Sequence, residues 1–210
     1  LKYYPLFFNI TGKKCVVIGG GEVAARKIAR LLDCAAEVYI VSPQLSPELV
    51  KLKAGNNIKH IADNYNARYL AGAVLIIGAT DDEKTNAAIS SDARNLGVPV
   101  NIVDDPQKCD FILPSVIERG DLTIAVSTGG KSPALARRLR EELAKKYGGE
   151  YEILLKILGN MRRQLKNSET GNSWCDSLID SGILEAIAAG NWEKVKKTVK
   201  EITGEEVVLG

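Results

Sequence analysis

The 210-residue chain has little of what metal and disulfide chemistry require. It holds one histidine, His60, and four cysteines, Cys15, Cys34, Cys109 and Cys175, which lie far apart with no C-x-x-C pair. Structural metals and disulfide frameworks need clustered ligands, so no metal site is expected and the thiols read as reduced. Cys15 opens an apolar run and reads as core, and His60 reads as structural or surface. An excess of one charge is also lacking. The 28 Lys and Arg against 26 Asp and Glu leave +2, which offers no global basis for binding nucleic acid or a membrane surface. No apolar run reaches the roughly 18 residues of a membrane span. Residues 1–8 lack the apolar core and small-residue cleavage pattern of a signal peptide, so a cytoplasmic location is expected. No internal repeat or low-complexity tract is evident.

What is present is concentrated near the start. Cys15-Val16-Val17-Ile18 reads as a buried strand, Gly19-Gly20-Gly21 follows at once, and Ala24, Ile28, Leu31 and Leu32 then recur on one helical face. The pattern is G-x-G-x-x-A at Gly19, Gly21 and Ala24. The glycines allow a sharp turn and close approach of a pyrophosphate to backbone N–H groups at the helix start, where the macrodipole favours negative charge. The small Ala24 allows tight helix–strand packing. The strand–turn–helix context is the one a dinucleotide site needs, although an ordinary tight βα turn shares it. The acid that such sites place roughly 20 residues on, at the end of the second strand, is missing. That strand ends in Ser42-Pro43-Gln44, so Ser42, Gln44 or backbone groups are expected to hold the ribose, with a weak lean towards NAD.

Alternating strands (15–18, 38–41, 58–61, 74–78, 98–103) and helices (23–32, 47–53, 83–96) imply a parallel sheet covered on both faces. Runs 111–118 and 122–127, joined by Arg119-Gly120-Asp121, read as a β-hairpin. Helices follow at 134–146, 151–165, 178–189 and 191–202, with a polar linker at 167–173 and with Trp174 and Trp192 expected to anchor their packing. Three parts are therefore expected: residues 1–110 binding the nucleotide, 111–148 forming a hairpin and helix, and 149–210 forming a small helical domain.

Two further clusters carry chemistry. Asn101-Ile102-Val103-Asp104-Asp105-Pro106 ends a parallel strand at the edge where ligands of open sheets collect. Adjacent carboxylates there can supply a general base, with mutual repulsion raising one pKa, or can simply turn the chain. Ala79-Thr80-Asp81-Asp82 ends the preceding strand. Ala79 and Thr80 are candidates to line the cofactor, and Asp81 or Asp82 to cap the next helix. The loop Ser127-Thr128-Gly129-Gly130-Lys131-Ser132-Pro133 opens a helix rich in Arg and Lys, including Arg137. It departs from a P-loop, because Ala125 stands where the first glycine belongs and Pro133 follows the serine. Its helix is either a solvated face or a docking surface for a small molecule with several carboxylates.

In order along the chain, Tyr4-Pro5-Leu6-Phe7, residues 17–24 with Arg26-Lys27, residues 79–82, 101–104, Phe111-Ile112-Leu113-Pro114-Ser115 and residues 127–137 resemble the precorrin-2 dehydrogenase family, the first module of sirohaem synthases and its standalone relatives. The resemblance implies a Rossmann-like α/β fold with a dimerisation hairpin and helix and a small C-terminal helical domain. It implies oxidation of precorrin-2 to sirohydrochlorin with NAD⁺, and in some relatives insertion of ferrous iron as well. The family's catalytic acid falls on Asp104, and its NAD contacts on Gly21, Glu22, Val23, Pro43 and Gln44, with Thr80 near the nicotinamide. The substrate's acetates and propionates are expected on Asn101, Ser127, Thr128, Gly129, Gly130, Lys131 and Arg137. A homodimer through residues 111–127 and 133–146 is implied. From Tyr151 onward the resemblance is weaker, and the apolar face of Ile153, Leu154, Ile157, Leu158, Met161 and Leu165 reads as a helical cap over the substrate side. A chain ending at Gly210 is expected to leave methylation of uroporphyrinogen to another protein. The family's Glu-Ala-Gly-Ala turn is replaced by Asp33-Cys34-Ala35-Ala36. A bifunctional dehydrogenase–ferrochelatase is the alternative, and a non-enzymatic NAD-sensing domain a remote one.

Overall fold

The computed structural model describes residues 2–165 and 173–207. The chain divides into two compact units, Leu1–Leu113 and Pro114–Gly210. In the first, strands β1 (Lys14–Ile18), β2 (Glu37–Val41), β3 (Lys59–Ile61), β4 (Leu75–Gly78) and β5 (Val100–Ile102) form one parallel sheet in the order β3-β2-β1-β4-β5. Helices α1 (Glu22–Asp33), α2 (Pro47–Ala54) and α3 (Glu83–Asn95) cover it. Successive β1 side chains point to opposite faces. Cys15 and Val17 pack with Ala24, Ala25, Ile28 and Leu31 of α1 and Leu49 of α2, while Val16 and Ile18 pack with Ile89 and Ala93 of α3. Burial on both faces is why β1 reads as an unbroken apolar run rather than an alternation.

The chain steps outward from β1 to β3 and then returns to β4 on the other side of β1. This reversal opens a crevice at the carboxyl ends of β1 and β4, where the helix after each strand leaves on opposite faces. Between α1 and β2, the Ala36 N–H donates to the Leu31 carbonyl and the Ala35 N–H to that of Leu32, a Schellman closure. The left-handed position of that motif falls on Ala35, with φ 54°, where a glycine would be at ease.

The second unit opens with an antiparallel hairpin of β6 (Ser115–Arg119) and β7 (Leu122–Val126), turning at Gly120 with φ 57°. The expected first strand began at residue 111. It starts only at Ser115 because Pro114 has no N–H to give a ladder. Helices α4 (Pro133–Lys146), α5 (Glu150–Gln164), α6 (Ser173–Asp180), α7 (Ile183–Ala188) and α8 (Trp192–Thr203) follow. Arg119 donates to the carbonyls of Ala144 and Tyr147 at 3.2 and 3.1 Å, tying the hairpin turn to the end of α4. The helix expected over 178–189 is two helices, parted at Ser181-Gly182, where Gly182 has φ 75°. Leu154, Ile157, Met161, Trp174, Leu178, Ile183, Val195 and Val199 form this unit's core. Trp174 anchors it as expected, but Trp192 is 40% exposed at the start of α8 and does not. Of the polar linker at 167–173, only Ser173 falls within the described residues.

Candidate functional site: a dinucleotide cleft at the sheet's carboxyl edge

A cleft of about 530 Å³ opens over the turn after β1, lined by residues 18–23, Val41, Ser42, Pro43, Asp63, Asn64, Tyr65, residues 79–82 and Thr85. Three adjacent glycines make its floor for different reasons. Gly19 has φ 117°, and a Cβ there would stand 2.2 Å from the Ala79 carbonyl oxygen. A Cβ on Gly20 would stand 1.9 Å from the Gln44 carbonyl oxygen and 2.6 Å from Ser42 Oγ. Gly21 has an ordinary extended backbone and open space around it. The first two glycines therefore serve the fold, and the third leaves room above it. Helix α1 begins at Gly21 with no side-chain cap, whereas Ser46, Asp82, Ser132 and Asn191 cap α2, α3, α4 and α8. Its first-turn N–H groups thus meet no side-chain acceptor and face a cleft, the arrangement a pyrophosphate fits. The cleft lining and the bare helix start fit a dinucleotide.

Of the residues expected on the cofactor, Gly19, Gly21, Glu22, Val23, Ser42, Pro43, Ala79 and Thr80 meet in this cleft. Two do not line it. Ala24 is fully buried beneath α1, so it shapes the site only through close helix–strand packing. Gln44 is exposed outside the lining, and its carbonyl instead accepts the Ser42 hydroxyl at 2.7 Å. His60 is structural, with Nε2 2.8 Å from the Ser42 carbonyl oxygen. Thr80 Oγ lies 3.0 Å from Asn86 Oδ1, and the Asn86 amide donates to the Thr80 carbonyl, so the wall after β4 is fixed to α3. Asp82 caps α3, accepting the Thr85 hydroxyl and N–H, which hold its carboxyl below the usual carboxylate range.

The pattern reading missed Asp63, Asn64 and Tyr65. They follow β3, whose Ile61 pairs with Val41 of β2, so they stand at the same sheet edge as Ser42 and Pro43. The polar run after a third parallel strand was their only signal. Asp63 is held low chiefly by the Tyr69 hydroxyl, then by the Asn64 N–H, with Arg68 adding to it. Burial, and next the Asp92 carboxylate that accepts its hydroxyl, push the Tyr65 phenol up.

Asp104 stands in the turn just after β5, two strands from β1, and lies outside the cleft lining. Its backbone is left-handed, with φ 61°, and no described residue bonds to its exposed carboxylate. The neighbouring acid does not share this freedom. Asp105 caps the short turn Pro106–Lys108 and accepts the Lys108 ammonium at 2.5 Å, which holds its carboxyl low. A mutually repelling Asp104–Asp105 pair is therefore not what the structure contains. The loop is clasped by Cys109, whose Sγ lies 3.1 Å from the carbonyl oxygens of both Ile102 and Asp105 and accepts the Ile102 N–H. Burial raises this thiol above its usual range. Asn101 is also spent on the clasp: it is buried, and its amide donates to the Phe111 carbonyl at 2.9 Å. Its amide nitrogen therefore has a structural duty at this strand.

The remaining expected residues lie in the second unit. The Thr128 hydroxyl both accepts the Ser132 N–H and donates to the Ser132 carbonyl, each at 3.0 Å, which closes the loop onto the start of α4. Ser127 Oγ accepts the Gly129 N–H at 3.1 Å. Thr128 and Ser127 thus hold the loop, while Gly129 and Gly130, at φ 63° and 83°, form its open crest. Arg138 and Arg140 pair with Glu142 and Glu141, but Lys131 and Arg137 are exposed with no acidic partner among the described residues. No group of three metal-ligating side chains occurs among the described residues, and none of their helices is long and apolar enough to cross a membrane.

The fold and cleft define a dinucleotide-binding α/β protein. Residues 6–115 match the family described as "Putative NAD(P)-binding", and residues 119–146 match "Sirohaem biosynthesis protein central". The chain belongs to this NAD(P)-binding family and carries the sirohaem-biosynthesis central segment after it. It is 37% identical to the siroheme synthase of Nitrosomonas eutropha over 195 residues, covering 90% of this chain and 41% of that protein. It is 32% identical to the siroheme synthase of Saccharophagus degradans over 222 residues, covering 100% and 48%. The chain thus spans less than half the length of these curated relatives. A solved structure of SirC, a precorrin-2 dehydrogenase, shares the fold, with a TM-score of 0.74 and 23% identity over 97% of this chain and 100% of that one.

Proposed function

We propose that the chain oxidises precorrin-2 to sirohydrochlorin with NAD⁺, using Asp104 as the acid–base group. The observation that carries this reading is the pairing of two features at one sheet edge: an uncapped, glycine-floored cleft and, two strands away, a carboxylate without a partner. The sirohaem-biosynthesis segment at 119–146 and the siroheme synthase relatives supply the substrate class. The first-turn N–H groups of α1 bind the pyrophosphate, and the walls at Ser42–Pro43 and Ala79–Thr80 orient its two ends. The nicotinamide supplies a hydride acceptor when bound. Dehydrogenation of the tetrapyrrole gives up a hydride and a proton for each double bond formed, and Asp104 takes or relays the proton. The stiff clasp of Cys109 and Asn101 fixes its backbone while leaving its oxygens open.

The substrate's acetates and propionates are bound in this reading by Lys131, Arg137 and the Gly129-Gly130 crest, where charge-assisted hydrogen bonds are strong. Residues 111–127 and 133–146 form the homodimer contact. Leu135 and Leu139, 49% and 37% exposed and one turn apart on α4, support that assignment. In this reading residues 149–210 are the small helical domain, to which the described helices α5 to α8 belong. The free thiols suit a reducing, cytoplasmic setting.

The test is anaerobic incubation of freshly generated precorrin-2 with NAD⁺. The reading expects NADH and sirohydrochlorin to appear together, one for one. NADH binding without any turnover would replace it with the sensing domain.

A further inference from the structure

The acid that selects NAD in most such folds stands at the end of the second strand, and here that strand ends in Ser42-Pro43-Gln44. Resting on the dinucleotide reading above, we infer that Asp63, delivered from the third strand, takes over that role: it binds the adenosine ribose hydroxyls and excludes the 2′-phosphate of NADP.

The placement follows from register. Val41 of β2 pairs with Ile61 of β3, and the Ile61 carbonyl accepts the N–H groups of both Ser42 and Asp63. Asp63 is therefore locked one strand outward from Ser42, at the same level of the sheet, and both line the cleft. The nicotinamide half belongs on the β4–β5 side, where Asp104 stands, which leaves the β2–β3 side for the adenosine.

The carboxylate is prepared for hydroxyl binding. One oxygen, Oδ2, accepts the Tyr69 hydroxyl and the Arg68 guanidinium at 3.3 Å. The other, Oδ1, accepts only the Asn64 N–H at 2.8 Å, so it keeps a lone-pair direction free. These donors keep the group ionised through the neutral range. An ionised acceptor strengthens a bond from a ribose hydroxyl and repels a phosphate at the same point.

Arg68 works in the same direction. Its guanidinium is a cation that an NADP phosphate would seek, but it is paired with Asp63 and lies over the Tyr69 ring, 4.8 Å from its centroid. While Asp63 is ionised, the guanidinium is held and its charge offset.

The experiment is a binding titration of the full chain with NADH and with NADPH, followed by fluorescence, for the wild type, Asp63→Asn and Asp63→Glu. The wild type is expected to prefer NADH. Asp63→Asn is expected to shift the NADH-to-NADPH affinity ratio towards NADPH by roughly tenfold or more. Asp63→Glu keeps the charge but moves it, so NADPH stays excluded while NADH affinity falls. A ratio within twofold of wild type in Asp63→Asn, or a wild type that binds both equally, overturns the role of Asp63 and leaves the dinucleotide reading intact. A wild type that binds neither overturns both.

Discussion

Replacing Gly21 and Gly19 by alanine separates the two duties of the turn. Gly21 has φ −86°, and a methyl added there would meet nothing within 4 Å, so the fold accepts one. Alanine is a poorer N-cap than glycine by roughly 0.5–1 kcal/mol. The stiffer unfolded chain returns about 0.4–1 kcal/mol, so the net change in stability is near zero. The same methyl stands where a pyrophosphate must approach the α1 amides. Overpacking costs about 1–3 kcal/mol, a loss of roughly 5- to 140-fold in NADH affinity. Gly19 differs on both counts. At φ 117° alanine is strained by about 1–3 kcal/mol, and its Cβ, 2.2 Å from a backbone oxygen, adds overpacking of similar size. Gly19→Ala is therefore expected to lower stability by roughly 2–6 kcal/mol, and the melting of the first unit by several degrees or more. The assay is paired thermal melting and NADH titration of each variant. A Gly21→Ala protein that melts with the wild type and binds NADH with unchanged affinity would refute the placement of the pyrophosphate.

Ala35→Gly is expected to stabilise the protein by roughly 0.5–1 kcal/mol, because relief of about 1–2 kcal/mol of left-handed strain exceeds the entropic cost of glycine; a thermal melt reads it. Asn101→Ala is expected to cost about 1–3 kcal/mol by leaving the buried end of the Phe111 contact unpaired, with NADH affinity retained, as denaturant melts and titration together would show. Asp82 has a folded pKa below its unfolded value, so its stabilisation of the α3 start is present above the usual carboxylate range and is lost as pH falls through the lowered value. Asp82→Asn is accordingly expected to flatten the acid side of a stability-against-pH profile.

Much of the first unit could be read in the sequence because both sheet faces are buried. Runs such as Cys15–Ile18 then announce strands, and the glycines mark where the chain turns. Residues within one turn of the sequence, such as Gly19 to Val23, were legible as a site for the same reason. Asp63 was not, since it joins Ser42 only through the β2–β3 register, which hydrophobic periodicity does not encode. The structural duty of Asn101 was not legible, because strand position says nothing of which way an amide is spent, and here the returning chain at Phe111 accepts it. Asp105 was separated from Asp104 by a cation three residues on, Lys108, that local pattern treats as surface. In the second unit, Pro114 and Ser181-Gly182 both carried the signal that the element boundaries needed, in a missing N–H and a left-handed glycine.

The measurement that bears most directly on the mechanism is anaerobic turnover of precorrin-2 with NAD⁺ by Asp104→Asn, with NADH affinity measured on the same preparation. Asparagine tolerates the left-handed backbone at φ 61° and keeps the side chain's size, so only the proton acceptor is removed. The account predicts turnover lower by about a hundredfold or more with NADH affinity within twofold of wild type. Turnover at the wild-type rate would contradict it and return Asp104 to the role of a turn residue.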